Sequence, residues 1–313
     1  MEKDTEYKKR FSKNIMILSR ILSRLFVVHR FIDTLRLEIQ SLPPLVLMNN
    51  YMSDAIRKWI EFRRSLRQDI LTKDPRYFLR WPVIQYTMFY SGHKSEIETL
   101  RQSSSWKRLR EGITENTSGH PVHYKLFPKS SGNLIHQAYT LHQLENAYGV
   151  RIETLHSIFE FGGGYGSAAQ FVFQMGFNGT YTILDLPEFS LLQRYFFSTT
   201  QNITMNDVGT RESSFDVRLR TDFNMLDEKC SAPDLFLAAW SLSESPIDTR
   251  EKIFEHISQP RYYLIAYQDT FQDIDNVSYF ETLTKQKLKN YTWKSIPITH
   301  LPGNTYLIGK RNE

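Results

Sequence analysis

Along the first half of the chain, apolar positions recur at helical spacing. Between Ala55 and Leu71, Ile56, Trp59, Ile60 and Phe62 are set among Arg57, Lys58, Arg63, Arg64 and Arg67, which predicts an amphipathic helix. Pro43-Pro44, Pro75 and Pro82 punctuate this half, and Ser103–Ser105 and Asn116–Pro121 read as loops. A further helix is predicted from Asn133 to Tyr148, closed by Gly149, a residue favoured just past a helix end. After residue 150 the period changes. Short apolar runs at Ser157–Phe161, Thr180–Leu184, Asp234–Trp240 and Tyr262–Gln268 predict strands. Helical segments alternate with them: Ser167–Met175, one opened by Asp185-Leu186-Pro187-Glu188, Thr249–Ile257 and Val277–Leu288. Thr292–Ile298 and Thr305–Gly309 pair as a closing hairpin across Pro302-Gly303-Asn304. Such alternation implies an α/β fold: a mostly parallel sheet with helices on both faces, ending in one antiparallel strand.

Composition changes this picture in two places. The 313 residues suit one large or two modest domains, and the change of period puts the boundary near residue 150, giving segments 1–150 and 151–313. Charge divides along the same line. The first segment carries 24 Lys+Arg against 14 Asp+Glu, the second 15 against 20. A basic half is either a solvated helical surface or a face that meets an anionic acceptor or an acidic membrane surface. Cys230 stands alone, which rules out an internal disulfide and fits a reducing compartment. The apolar stretch Ile15–Ile32 is interrupted by Arg20, Arg24 and Arg30, so it reads as neither a spanning helix nor a signal peptide. The expected location is the cytoplasm, with peripheral contact at the inner face of the membrane left open for the basic half.

The chemistry centres on Glu160-Phe161-Gly162-Gly163-Gly164-Tyr165-Gly166, between a strand and a helix. Glycines there permit a tight turn and let a ligand approach the backbone beside a helix N-terminus. The dinucleotide pattern G-x-G-x-x-G/A fails from Gly162, where Ser167 stands last, but fits from Gly164 through Gly166 and Ala169. The loop alone therefore leaves a nicotinamide cofactor open. Asp185, at the end of the next strand and followed by Leu186, is placed to accept hydrogen bonds from both hydroxyls of a ribose. No lysine stands where a phosphate-binding loop needs one, so that class is excluded. S-adenosylmethionine (SAM) has no phosphate and carries a sulfonium cation, which suits an acidic domain. In open α/β sheets ligands sit outside the carboxyl ends of the strands, which gathers the glycine loop, Asp185, Trp240–Glu244 and Gln268–Asp269 around one crevice. Asp222 is a candidate acceptor for an adenine amino group.

The run Ile158–Tyr195 (IFEFGGGYGSAAQFVFQMGFNGTYTILDLPEFSLLQRY) resembles the sugar O-methyltransferases of bacterial polysaccharide gene clusters. Asp234–Glu244 (DLFLAAWSLSE), Tyr263–Gln268 (YLIAYQ) and Ser131–Leu141 (SGNLIHQAYTL) extend the resemblance over roughly residues 75–310. It implies a Rossmann-like seven-stranded SAM-dependent methyltransferase domain preceded by a mainly helical N-terminal domain. It also implies methyl transfer from SAM to a sugar or glycan hydroxyl; the basic half leaves open an acceptor that is anionic or lipid-linked. The cofactor-binding set is then Glu160, Gly162, Gly163, Gly164, Gly166, Asp185, Leu186, Asp222 and Trp240.

A sugar hydroxyl is a poor nucleophile, so a general base is expected, and Glu244, His136 and His300 are the candidates. Glu244 follows the strand that ends near the reacting methyl in this fold; its alternative is a carboxylate at a helix N-terminus before Pro246. His136 shares a helical face with Tyr139 and Gln143, a face able to close over the cofactor. His300 lies in the closing hairpin. No metal is expected: His120 and His123 lack a carboxylate partner, and Asp269, Asp273 and Asp275 read as caps and solvated loop residues. Three other readings compete. They are a nicotinamide oxidoreductase, a catalytically silent methyltransferase-like scaffold in glycan assembly, and a nucleic-acid methylase. The last is set aside because Trp240-Ser241-Leu242-Ser243 stands where an Asn/Asp-Pro-Pro-Tyr/Phe motif belongs, so no nucleic-acid partner is expected.

Overall fold

A computed structural model describes residues 28–45, 53–200, 216–226, 232–257 and 259–313. Cys230 and the first part of the basic apolar stretch, through residue 27, lie outside the described residues.

The first half is mainly helical. Residues 28–41 (α1) and Asp54–Thr72 (α2) are followed by a 3-10 turn at Pro75–Arg80 and three short helices. These are Pro82–Thr87 (α3), Lys94–Gln102 (α4) and Trp106–Gly112 (α5). Ser53 caps α2 by accepting from the amide of Ile56, and His93 with Glu96 forms a capping box on α4. A small hairpin, His123–Tyr124 (β1) with Phe127–Ser131 (β2), precedes the long helix Gly132–Tyr148 (α6). Gly149 ends α6 in the left-handed conformation, as its position after Tyr148 predicts.

From residue 157 the strands and helices alternate. The order is Ser157–Phe161 (β3), Ser167–Gln174 (α7), Thr180–Leu184 (β4), Pro187–Thr199 (α8), Asp216–Arg220 (β5), Leu235–Ala239 (β6), Ile247–His256 (α9) and Tyr262–Gln268 (β7). A two-residue pair, Thr270–Phe271 (β8) with Ile274–Asp275 (β9), leads into Asn276–Thr282 (α10), which runs on as a π-turn through Lys287. Tyr291–Pro297 (β10) and Asn304–Arg311 (β11) close the fold. The main sheet has seven strands in the order β10-β11-β7-β6-β3-β4-β5. Strands β7, β6, β3, β4 and β5 are parallel neighbours, and β11 is inserted antiparallel between β7 and β10.

Successive residues of a strand point to opposite faces, so a sheet covered on both sides needs two apolar sets. Ile158, Ile183, Leu237 and Leu264 enter one cluster, and Phe159, Leu184, Phe236 and Ile265 the other. The first cluster also takes in Leu66, Ile70, Ile97, Leu134 and Leu141 from the helices. One packed core therefore runs across residue 150. Some of the cations of the first half are paired across it: Arg63 and Arg67 of α2 both grip the fully buried Glu188 of α8, and Arg108 bridges Glu145 and Glu153. Among the described residues, no helix is long and apolar enough to cross a membrane.

Candidate functional site

The carboxyl ends of β3, β4, β5 and β6 open into a cavity of about 650 Å3. Its floor is the glycine loop. Gly162 leaves β3 at φ +73°, and a Cβ there would collide with the side chain of Ser241. Only glycine meets both demands at low strain. The Ser241 hydroxyl in turn donates to the carbonyl of Phe161, tying the end of β3 to the end of β6.

Asp185 fastens this floor. Its Oδ2 accepts from the Gly164 amide at 3.1 Å and from Gln193 Nε2 at 2.8 Å, while Oδ1 accepts from the Leu186 amide at 2.7 Å. A carboxylate offers about four acceptor positions. Three are taken by the loop and α8, which leaves acceptor capacity for a ribose hydroxyl. Gln193, which also donates to the Gly164 carbonyl, has no signal in the sequence beyond its place on α8.

Glu160 lies beneath the loop, 3% exposed, and accepts from the Tyr181 hydroxyl at 2.9 Å. Burial pushes its carboxyl up to about 8; the Tyr181 bond opposes this and the neighbouring Asp185 charge adds to it. Burial likewise raises Asp185 to about 7, against the pull of its amide and Gln193 bonds.

Trp240 follows β6 at φ +63°, an uncommon conformation for a bulky side chain, and is held by Nε1–H donation to Asn304 Oδ1 at 2.7 Å. Glu244 lies one turn on. Burial raises its carboxyl to about 7, opposed by Lys58 and by a hydrogen bond with Gln268. It stands two residues before Pro246, the N-cap of α9, which has no side-chain cap hydrogen bond.

The facing wall comes from the first half. Ile56, Trp59, Ile60 and Arg63 of α2 line the cavity, with residues 86–90 and Asn133, His136 and Gln137 of α6. Trp59 Nε1 donates to the Glu244 carbonyl at 3.3 Å, joining wall to floor. His136 packs against Tyr90 and Trp240, at ring-centroid separations of 4.3 and 5.1 Å. Its Nδ1 is 2.6 Å from Glu96 Oε1, and the same oxygen is 2.8 Å from His300 Nε2. Burial alone would raise Glu96; the bonds from His136 and His300 outweigh it and hold the carboxyl below its usual value.

Most of the predicted residues meet at this cavity: Glu160, Gly162, Gly163, Gly164, Asp185, Leu186, Asp222, Trp240, Glu244 and His136 all line it. Asp222 also caps the 3-10 turn Phe223–Met225 through the amide of Asn224. Two expected residues lie off the lining. Gly166 caps α7 at φ +100°, its α-carbon turned toward Phe197, where its role is the turn and close packing. His300 sits behind His136, its side chain 3% exposed and bound to Glu96, so it does not face an acceptor. The His136 face also differs from expectation: Tyr139 packs on His300 and Tyr306 in the core rather than over the cavity. Among the described residues no group of three metal-ligating side chains forms, and His120 stacks on Tyr77.

No family model and no curated protein matches the chain. Among solved structures, it is similar to the small RNA methyltransferase HEN1, with 10% identity over 57% of this chain and 25% of that one and a TM-score of 0.43. It is also similar to the 1,6-didemethyltoxoflavin-N1-methyltransferase of Burkholderia thailandensis, solved with bound 1,6-didemethyltoxoflavin and S-adenosylhomocysteine, with 12% identity over 56% and 78% of the two chains and a TM-score of 0.37. A methyltransferase from Pyrococcus furiosus shows 15% identity over 58% and 84%, with a TM-score of 0.39. The chain thus spans a quarter of the length of the first of these proteins.

Proposed function

We propose that the protein is a SAM-dependent O-methyltransferase acting on a sugar hydroxyl, in a cytoplasmic step of cell-surface polysaccharide assembly. The observation that carries the reading is convergence. The glycine turn, the Asp185 carboxylate and the Trp240–Glu244 segment, far apart in sequence, border one cavity at the carboxyl ends of a parallel sheet. The antiparallel insertion of β11 is the closing that separates the methyltransferase sheet from a dinucleotide-binding one, which supports SAM over a nicotinamide.

The residues present fit that cofactor. Gly162–Gly164 line the cavity with backbone alone, Asp185 keeps acceptor capacity for a ribose hydroxyl, and Asp222 lines the same cavity with a second carboxylate. Bound there, SAM would supply a methyl group on a sulfonium, open to attack by oxygen. The protein's part is to orient the acceptor, exclude water and take its proton. Trp59, Phe89, Tyr90 and Trp240 give the cavity apolar walls, and two of its groups, Glu244 and His136, are able to receive a proton. The sugar rests on the resemblance of the Ser131–Leu141 and Asp234–Glu244 segments, and an anionic or lipid-linked acceptor is part of the same proposal.

The test is transfer of label from [methyl-14C]SAM to UDP- and dTDP-sugars, lipid-linked glycans and, as a contrast, transfer RNA. Label recovered as a sugar methyl ether is the expected result. Label in RNA would replace the acceptor class, and a chain that binds SAM but labels nothing would favour the silent scaffold.

A further inference from the structure

We infer that Glu96 is the positioning residue for His136. It fixes the ring as the Nδ1–H tautomer, so that the bare Nε2 faces the cavity and takes the acceptor's proton. The inference rests on the methyl-transfer reading and names the base for it.

Glu96 Oε1 accepts from two histidines at once, at 2.6 Å from His136 Nδ1 and 2.8 Å from His300 Nε2. An ionised carboxylate has no proton to give, so both ring nitrogens must donate. Donation from Nδ1 leaves the neutral His136 ring with its lone pair on Nε2. Tyr90 and Trp240 pack against the ring and Glu96 engages Nδ1, which leaves the Nε2 edge for the cavity that His136 lines. Nε2 has no hydrogen-bond partner in the protein among the described residues, yet it is not among the buried unpartnered atoms. His300 Nδ1 is among them. His300 therefore braces the carboxylate from behind, and the other oxygen, Oε2, is held by the His93 amide at 3.3 Å. This is the logic of an imidazole oriented by a buried carboxylate: tautomer and direction are set before the substrate arrives.

The step balances. As the hydroxyl oxygen bonds to the methyl carbon, the carbon–sulfur bond breaks and its electron pair stays on a neutral thioether. The hydroxyl proton passes to Nε2, and the resulting imidazolium faces the Glu96 charge. The other titratable groups around the pair are Tyr90, Tyr124, Tyr139, Tyr306, His93 and His300. The four tyrosines are all raised by burial, with the Glu96 charge adding, so none supplies a competing anion near neutral pH.

The test needs no acceptor. The full chain is labelled with 15N-histidine, and His136 is picked out from the nine histidines by its loss in His136→Gln. Long-range 1H–15N spectra at pH 7.5 should show His136 protonated on Nδ1 and bare on Nε2. In Glu96→Gln that tautomer should give way to a mixture. The rate at which diethyl pyrocarbonate modifies His136 should fall at least fivefold, and S-adenosylhomocysteine affinity should hold within about twofold. A wild-type ring protonated on Nε2 would overturn the inference, as would a Glu96→Gln protein in which neither tautomer nor reactivity changes. If Glu96→Gln fails to fold, the wild-type tautomer decides alone. Failure of S-adenosylhomocysteine to bind would remove the methyl-donor reading and leave the tautomer result standing.

Discussion

The floor and the wall of the cavity are built differently. The glycine-loop part of the floor is local: Asp185 reaches the Gly164 amide across 21 residues and Gln193 across 8. Its parts are a strand end, a turn and the next strand end, brought together by parallel pairing of β3 with β4. The wall is assembled at long range. Arg63 meets Glu188 across 125 residues, Glu96 meets His136 across 40 and His300 across 204. A floor made of backbone turns binds what any chain with that turn binds. A wall made of distant side chains carries what is particular to this chain, and in this fold it also carries the proposed proton acceptor.

The two regions should respond differently to substitution. The largest effect is expected at Glu188, where Glu188→Gln strips the charge from a fully buried carboxylate held by two arginines. Breaking such a pair costs about 3 kcal/mol. Chemical denaturation should show that loss together with weaker binding of S-adenosylhomocysteine, because α2 comes loose. A variant of wild-type stability would mean that the wall does not depend on this clamp. Next is Gly162→Ala. Left-handed backbone strain and the Ser241 collision should cost about 2 kcal/mol and reduce S-adenosylhomocysteine affinity more than tenfold, with α2 still docked. Unchanged binding would separate the ligand from the floor.

A smaller effect is expected from pH. Glu160 is raised in the fold to about 8, well above the ordinary glutamate value of about 4.3. Between those values the folded state holds a proton that the unfolded chain has released. Its stabilising contribution is therefore complete below about pH 4 and is lost as pH rises through about 8. Thermal midpoints should fall from pH 5 to pH 8, and Glu160→Gln should flatten that slope, by on the order of 1 kcal/mol. An unchanged slope would show that Glu160 is not the group responsible.

The same contrast explains what could be read from the sequence. The glycine turn, Asp185 and the strands β3, β4, β6 and β7 were legible because each is a local pattern of apolar runs closed by turn residues. Strand β5 was not: Asp216–Arg220 buries only Val217 and Leu219, lies at the edge of the sheet, and shows charged residues at every other position. Gln193 and Glu96 were invisible for a related reason. Each is a polar residue in an ordinary helix until the fold brings Asp185 or two histidines to it. His300 shows the limit from the other side, because a histidine in the right hairpin turned out to face Glu96 and not the cavity. Net charge shows the same limit: the excess of the first half does not say which cations are paired, and Arg63, Arg67 and Arg108 are tied to buried or half-buried carboxylates.

Isothermal titration of the full chain with SAM, S-adenosylhomocysteine and NAD, beside Asp185→Ala, tests the central claim most directly. The account predicts micromolar or tighter binding of both adenosyl ligands, at least a tenfold loss in Asp185→Ala, and no heat from NAD. Binding of NAD alone, or of none of the three by a folded protein, would contradict it.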